Sequence, residues 1–343
     1  MDESIDEKLA ESTEERRVSW SHGELAVTSL AAMLTELVFH LEHGDFRPLA
    51  RAPWLDDAVP ASRDRPAPAT HLDVLAGEFA CVPFGTDHGY GANSRWDVAV
   101  DGGGVRAAID YPRGSPISRL ERRITPCAGE ARVVFDLVIH AREKVRLPIG
   151  VHPILRLPSR PRALSIQASF DSGHTHPSAG ERRHVTSHGA RFTELSRVPA
   201  GTGTVDLSRL PLASETDPAM ARGGVDDGGM LCGARSPLSV LYLDEDAELV
   251  MEWDDTTLPS INYWYSDRGV TGAPWDGRYR GLGIEPVCAY FDCGAALSAA
   301  PNAISDDGVS TTLTLTPDEP ITIAYSLAAR SHATDREGTA HAH

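Results

Sequence analysis

Glu285 is the residue of this sequence with the clearest potential for acid–base chemistry. It lies in an otherwise apolar run that covers residues 282–291. A carboxylate in such a run is costly to bury unless it is paired or hydrogen-bonded. Burial would also raise its pKa toward the range that suits a general base at neutral pH. The alternative is a structural glutamate that backbone donors or an arginine satisfy.

Two histidines lie in comparable surroundings. His152 stands between apolar residues directly before Pro153, which favours extended backbone at His152 and ends ladder pairing there. This pattern predicts a side chain that points from a strand end into a cleft. A hydrogen-bonded histidine of the core is the competing interpretation. His88 follows Asp87 in a glycine-rich stretch, and that carboxylate could orient the imidazole ring.

A second group of titratable residues raises the question of a metal. It consists of His174, His176, His184 and His188. An H-x-H pair with two further histidines could bind zinc or nickel. The segment is loop-like, however, and it contains arginines and supplies no acidic or cysteine ligand pattern. We therefore predict that these histidines bind no metal.

The remainder of the chain consists of strands that could position these residues. Alternating patterns and short apolar runs recur between turns rich in Gly, Pro, Asp and Ser. The predicted strands cover residues 24–28, 96–100, 105–109, 131–139, 239–243, 247–253, 260–265, 310–316 and 321–327. Residues 30–41 could form a strand or an amphipathic helix, and we favour a strand. Many short strands with few helical patterns predict an all-β sandwich or barrel.

The segment 171–235 differs from the rest, because its hydrophobic periodicity is weak and Gly, Pro and Ser residues are frequent in it. We interpret it as long loops that line a binding face. The expected organisation is a polar extension over residues 1–18, one β-sandwich domain over 19–328 and a flexible tail over 329–343.

Composition excludes several function classes. The net charge of −17 and the lack of a basic stripe argue against a nucleic-acid partner. Five cysteines without a repeated spacing do not form a disulfide framework, and reduced thiols are expected. No signal-peptide pattern and no apolar run of ~20 residues is visible, so we expect a cytoplasmic protein without a membrane partner.

The segments that contain His88, His152 and Glu285, in this order, resemble the aldose 1-epimerase (galactose mutarotase-like) superfamily. His88 and Asn93 lie in a run similar to that family's His-Gly-aromatic-x-Arg-Asn-x-x-Trp motif. The segments around His152 and Glu285 are similar to its second histidine motif and its C-terminal Glu-Pro motif. The resemblance spans roughly residues 20–327.

The resemblance implies a large antiparallel β-sandwich of the galactose mutarotase kind and an isomerase that interconverts anomers of a free sugar or a related cyclic hemiacetal. Glu285 would take the proton from the anomeric hydroxyl, and His152 would protonate the ring oxygen so that the ring opens. His88 would hydrogen-bond the sugar and help to polarise its ring oxygen. This chemistry needs no cofactor. The partner would be a small carbohydrate, and the protein a monomer or homodimer.

The expected sugar-binding residues are Asn93, Asp255, Trp264, Trp275 and Arg278. Tryptophan faces can stack on the apolar face of a pyranose, and arginine supplies a planar fork of donors for hydroxyls. Core packing is the alternative for Trp264. Asp255, or its neighbour Asp254, is the nearest candidate for the family's substrate aspartate.

The family's usual sugar-binding arginine has no clear match in this sequence. That departure keeps two other function classes open. One is a carbohydrate-binding protein without turnover, and the other is a lyase or hydrolase that acts on the same scaffold.

Overall fold

The computed structural model describes residues 14–57, 70–178, 183–213 and 223–332. Strands dominate these residues. They are β1 (Glu15–Trp20), β2 (Gly23–Thr28), β3 (Leu34–Leu41), β4 (Gly44–Phe46), β5 (Ala80–Cys81), β6 (Asp97–Asp101), β7 (Gly104–Asp110), β8 (Ile117–Pro126), β9 (Arg132–Ala141), β10 (Val145–Leu147), β11 (Ile149–Val151), β12 (Ile154–Leu155), β13 (Leu164–Ser169), β14 (Ser172–Thr175), β15 (Arg191–Phe192), β16 (Val198–Ala200), β17 (Gly203–Val205), β18 (Arg209–Leu210), β19 (Val225–Cys232), β20 (Arg235–Tyr242), β21 (Ala247–Trp253), β22 (Ser260–Asp267), β23 (Arg280–Cys288), β24 (Leu313–Leu315) and β25 (Ile321–Ser331).

Helices are short in the described part of the chain. The α-helices are α1 (Gly89–Ala92), α2 (Gly294–Ala299) and α3 (Ala303–Asp306), and 3-10 turns cover Pro53–Asp56, His71–Asp73 and Leu195–Arg197. None of these helices has the length and apolar character that a membrane-spanning helix requires.

Two large antiparallel sheets form the body of the protein. The nine-stranded sheet has the order β18-β13-β20-β21-β25-β9-β8-β7-β6. The eight-stranded sheet has the order β15-β14-β19-β22-β23-β11-β5, with β12 also paired to β23. A four-stranded sheet (β1 to β4) and the pairs β10-β24 and β16-β17 complete the described architecture. The prediction of an all-β antiparallel sandwich is confirmed.

The main core lies between the two large sheets. Its buried apolar side chains include Leu137 and Leu249 of the nine-stranded sheet and Tyr263 and Ile284 of the eight-stranded sheet. A second cluster, which includes Phe79, packs against Trp264. Because successive residues of a strand point to opposite faces, β22 and β23 contribute one set of side chains to the core and the other set to the outer face.

A buried ion pair links the nine-stranded sheet to the segment that precedes β5. Arg122 of β8 contacts the carboxylate of Glu78, and both side chains are almost fully buried. Arg122 also donates to the hydroxyl of Tyr325 (2.9 Å) and to the carbonyl of Ala32 (2.8 Å). The Tyr325 hydroxyl donates in turn to Glu78 Oε1 (2.5 Å). This network anchors Glu78, the residue directly before Phe79.

Most predicted strands are observed with shifts of a few residues at their ends, and residues 34–41 form the strand that we favoured. The first strand begins at Glu15, inside the segment expected to be a polar extension, and the last one continues to Ser331. The loop prediction for residues 171–235 is wrong at Val225–Cys232, because these residues form the regular strand β19 and all eight of them are buried. The N-terminal residues 1–13 and the tail from residue 333 lie outside the described residues.

Candidate active site

Glu285 lies at the centre of the outer face of the eight-stranded sheet. Its side chain is buried, with 1% of the residue exposed. On one side its partner in the β22 ladder is Asn262, whose Nδ2 donates to Glu285 Oε2 at 2.7 Å. Gly283 lies on the same face of β23, and a methyl group at that position would lie 2.2 Å from Glu285 Oε1. The carboxylate therefore occupies space that the glycine leaves open.

His152 lies on the other side of Glu285, at an interruption of the sheet. The strands β11 and β12 both pair with β23, in the register Ile149↔Cys288 and Ile154↔Gly283. The register is unchanged across the gap, so His152 lies directly opposite Glu285. Strand β11 ends at Val151, directly before His152, whose backbone N–H donates to the carbonyl of Phe79 at 2.8 Å. The predicted strand end at His152 is thus observed.

This arrangement brings the imidazole close to the carboxylate. His152 Nε2 lies 3.3 Å from Glu285 Oε1. The ring of Phe79 stacks on the imidazole, with centroids 4.8 Å apart and planes inclined by 15°. Burial lowers the pKa of His152 to about 3, and the nearby His71 contributes to that shift. The His152 ring is therefore neutral at neutral pH, next to a carboxylate within proton-transfer distance.

His88 faces His152 across the cleft. Its backbone is left-handed (φ +57°) directly before α1, which turns the side chain back toward the sheet. The His88 and His152 ring centroids are 5.1 Å apart, and the His88 Nδ1 lies 3.7 Å from the Cys81 thiol. The structure thus brings the three predicted catalytic residues, His88, His152 and Glu285, to one place.

A third histidine, His71, belongs to the same group. Its ring centroid is 4.7 Å from that of His88. Asn93 orients it: the Asn93 amide donates to the carbonyls of Asp87 (2.6 Å) and Gly89 (3.0 Å), which leaves its Oδ1 to accept from His71 Nδ1 at 2.9 Å. Asn93, predicted to bind sugar, therefore positions His71 and is not part of the cleft lining.

Aromatic residues form one wall of the cleft, which has a volume of about 200 Å³. Both predicted tryptophans line it, and Trp264 stacks on Tyr279 while Trp275 meets Trp264 edge to face. The Trp264 Nε1 donates to Asp226 Oδ1 at 2.7 Å, and Asp226 lines the cleft as well. An apolar ring surface beside a carboxylate suits a ligand with one apolar face and hydroxyl groups at its edge.

Two predicted binding residues lie elsewhere. The carboxylate of Asp255 accepts from the backbone N–H of Ser236 at 2.9 Å, in a turn after β21 of the other large sheet. Arg278 forms two 2.9 Å hydrogen bonds with Asp57 and is not among the residues that line the cleft. Each side chain is held by a partner outside the cleft, Asp255 by the start of strand β20 and Arg278 by an aspartate 221 residues away in sequence.

Several cleft residues were not predicted from the sequence. They are His71, Phe79, His176, Asp226, Asn262 and Asp292. Asn262 could have been found, because it shares a strand face with Trp264 in a strand that was predicted. Asp226 could not be recognised from the sequence, because it belongs to an Asp-Asp-Gly-Gly sequence that is typical of a turn, whereas these residues lie in strand β19.

Sequence comparison identifies no relative, since no protein-family model and no curated protein matches the chain. Solved structures do match. One is an Escherichia coli K12 protein provisionally named an aldose 1-epimerase (TM-score 0.61, 15% identity, 93% of this chain and 99% of that chain). Others are an aldose epimerase homologue from C. elegans (TM-score 0.59, 14% identity, 93% and 99%) and a galactose mutarotase-like protein from Lactobacillus casei (TM-score 0.56, 12% identity, 92% and 100%).

At these identities the likeness concerns the fold. It extends over more than nine-tenths of each chain and so includes both large sheets. The protein therefore has the fold of the aldose 1-epimerases and galactose mutarotase-like proteins.

Proposed function

We propose that the protein interconverts the anomers of a free aldose or a related cyclic hemiacetal. The observation that carries this proposal is the row formed by Asn262 of β22, Glu285 of β23 and His152 between β11 and β12, next to His88 and an aromatic cleft wall. The reaction needs one group that accepts a proton and another that delivers one. The carboxylate and the imidazole, 3.3 Å apart, supply both.

The net reaction moves one proton from the anomeric hydroxyl to the ring oxygen and back. Glu285 accepts the hydroxyl proton, held in place by the Asn262 amide on its other oxygen. His152 delivers a proton to the ring oxygen, and the ring opens. Rotation about the C1–C2 bond and reclosure give the other anomer. Because His152 Nε2 lies 3.3 Å from Glu285 Oε1, the proton that the carboxylate accepts can pass to the neutral imidazole, which then delivers it to the ring oxygen.

The remaining cleft residues have binding roles in this proposal. Trp264 and Trp275 are perpendicular (88°), so one of these rings stacks on the apolar face of the sugar while the other borders its edge. Asp226 accepts from the hydroxyl groups of the sugar. His88 donates to the ring oxygen. His71 borders the same space, where it extends the set of polar contacts that can orient a hydroxylated ring.

The test is anomer exchange, followed by polarimetry or NMR, with a panel of free aldoses. Loss of general-base catalysis should lower the exchange rate of Glu285→Gln by about 10²- to 10⁴-fold. Glu248→Gln is a matched control, because Glu248 is also buried but lies in the other large sheet and pairs with Arg330. If Glu285→Gln folds normally and keeps the wild-type rate, the assignment is wrong.

Calorimetry and product analysis with the same sugars separate the other function classes. Sugar binding in calorimetry without any rate enhancement by the wild-type protein would identify a carbohydrate-binding protein. A product other than the second anomer would identify a lyase or hydrolase.

A further inference from the structure

A cluster of potential metal ligands lies at the edge of the cleft. It consists of His176, Asp292 and Cys293, whose ligand atoms all lie within 4.8 Å of one another. His176 follows β14, and the other two residues follow β23, so the fold joins segments 116 residues apart. His176 and Asp292 also line the cleft. The sequence pattern showed only the histidine, because its acidic and thiol neighbours come from a distant segment.

The backbone that carries these residues is fixed by hydrogen bonds. The N–H of His176 donates to the carbonyl of Gly228 (3.1 Å), and its carbonyl accepts from the N–H of Gly189 (3.1 Å). On the other side, the hydroxyl of Thr86 donates to the carbonyl of Asp292 at 3.0 Å. Ligands held in this way lose little conformational entropy when an ion binds.

The His176 ring has partners for the tautomer that a metal ligand needs. Its Nε2 lies 3.0 Å from Asp292 Oδ1, and this nitrogen would bind the ion. Its proton must then be on Nδ1, which lies 3.3 Å from the carbonyl of Ser178. A backbone carbonyl that accepts from the distal nitrogen is the usual outer partner of a metal-bound histidine. In the alternative tautomer, Nδ1 accepts from the Ser178 N–H at 3.2 Å.

The ligand types select the ion. Imidazole, thiolate and carboxylate together suit zinc, whereas Mg²⁺ and Ca²⁺ prefer oxygen ligands. We propose that His176, Asp292 and Cys293 form a binding site for Zn²⁺ or a similar divalent transition metal. Among residues 14–57, 70–178, 183–213 and 223–332, this cluster supplies three ligands, and a four-coordinate ion would take one more. Since His176 and Asp292 line the cleft, a bound ion would lie at its edge. The proposal does not depend on the anomer-exchange activity.

The experiment is a titration of the purified full-length protein with Co²⁺, which replaces Zn²⁺ and reports its ligands by absorption. We expect one tight site with visible bands of a four-coordinate ion and a near-ultraviolet thiolate-to-cobalt band. Cys293→Ser should remove the thiolate band. His176→Ala should weaken binding by at least about tenfold. Cys127→Ser is the control, because Cys127 is also partly exposed but lies far along the chain from the cluster, and it should leave the spectrum unchanged.

Three results would overturn the proposal: no thiolate band in the wild-type protein, a band that persists in Cys293→Ser, or a Co²⁺ affinity that His176→Ala leaves unchanged. Co²⁺ bound only by other histidines would lack the thiolate band and would count against the site. Because the readout is spectroscopic, it holds whether or not the protein exchanges anomers.

Discussion

The substitution Gly283→Ala tests the geometry of the proposed base without altering any group that reacts. The new methyl group would lie 2.2 Å from Glu285 Oε1. Since a carbon–oxygen contact needs roughly 3.2 Å, within the range of ordinary van der Waals contacts, the carboxylate must move by about 1 Å. A displacement of that size at a reacting group typically costs about 10²-fold in rate, or ~2.7 kcal/mol of transition-state stabilisation. We therefore expect kcat/KM for anomer exchange to fall by about 100-fold.

Stability should change little, because the end of a flexible side chain can move and alanine has the better backbone entropy in a strand, by roughly 0.5–1 kcal/mol. The assay is polarimetric exchange alongside urea unfolding. Gly203→Ala in β17 is the matched control, since a methyl group there meets no atom within 4 Å. A Gly283→Ala protein with a kcat/KM within twofold of wild type would refute the geometric reasoning. A loss of several kcal/mol in stability would show that the strands, and not the carboxylate, absorb the methyl group.

Three further predictions concern charge. Asn262→Asp places a second carboxylate 2.7 Å from Glu285, so repulsion between like charges should raise the pKa of the pair. The acid limb of the pH–rate profile should then shift upward by at least about one pH unit. An acid limb at the wild-type pH would contradict the contact between residue 262 and Glu285. Arg122→Met leaves the Glu78 carboxylate buried without its cation and should cost about 3–5 kcal/mol in urea unfolding, whereas a cost below ~1 kcal/mol would show that the network is dispensable. Burial lowers the pKa of His152 from its ordinary ~6.5 to about 3, so the unfolded chain binds more protons between these values. His152 should therefore lower the free energy of unfolding as the pH falls from about 6.5 to about 3 and have no effect at higher pH. His152→Asn should flatten this part of the pH–stability curve. A curve that matches that of the wild type would contradict the neutral buried ring.

Alternating patterns were sufficient to predict most of the fold. Residues 131–139 are an example, since β9 buries every second side chain and leaves the others partly exposed. The prediction failed at β19, where both faces are covered and alternation is lost. Its Asp227 is buried because it accepts from the backbone N–H groups of Val185 and Thr186, which no local pattern reveals.

The candidate site could be predicted only in part, and for a related reason. Glu285 and His152 are recognisable because a charged or titratable residue in an apolar strand is unusual. Asp255 and Arg278 looked equally polar, but their partners are Ser236 and a distant aspartate, and the fold alone determines which polar residues meet. The cytoplasmic location and the monomeric or homodimeric state remain predictions.

Side chains along β22 and β23 point alternately to the core and to the cleft, and this alternation limits which sequence changes the site can accept over generations. Ile284 packs in the core and Glu285 faces the cleft, although they are neighbours in sequence. A substitution on either face leaves the other face in place. Inserting or deleting one residue within the strand would instead send the carboxylate into the core and the isoleucine into the cleft. The site therefore tolerates replacement far better than changes in length, which should be confined to the connections, such as residues 268–279 between these two strands.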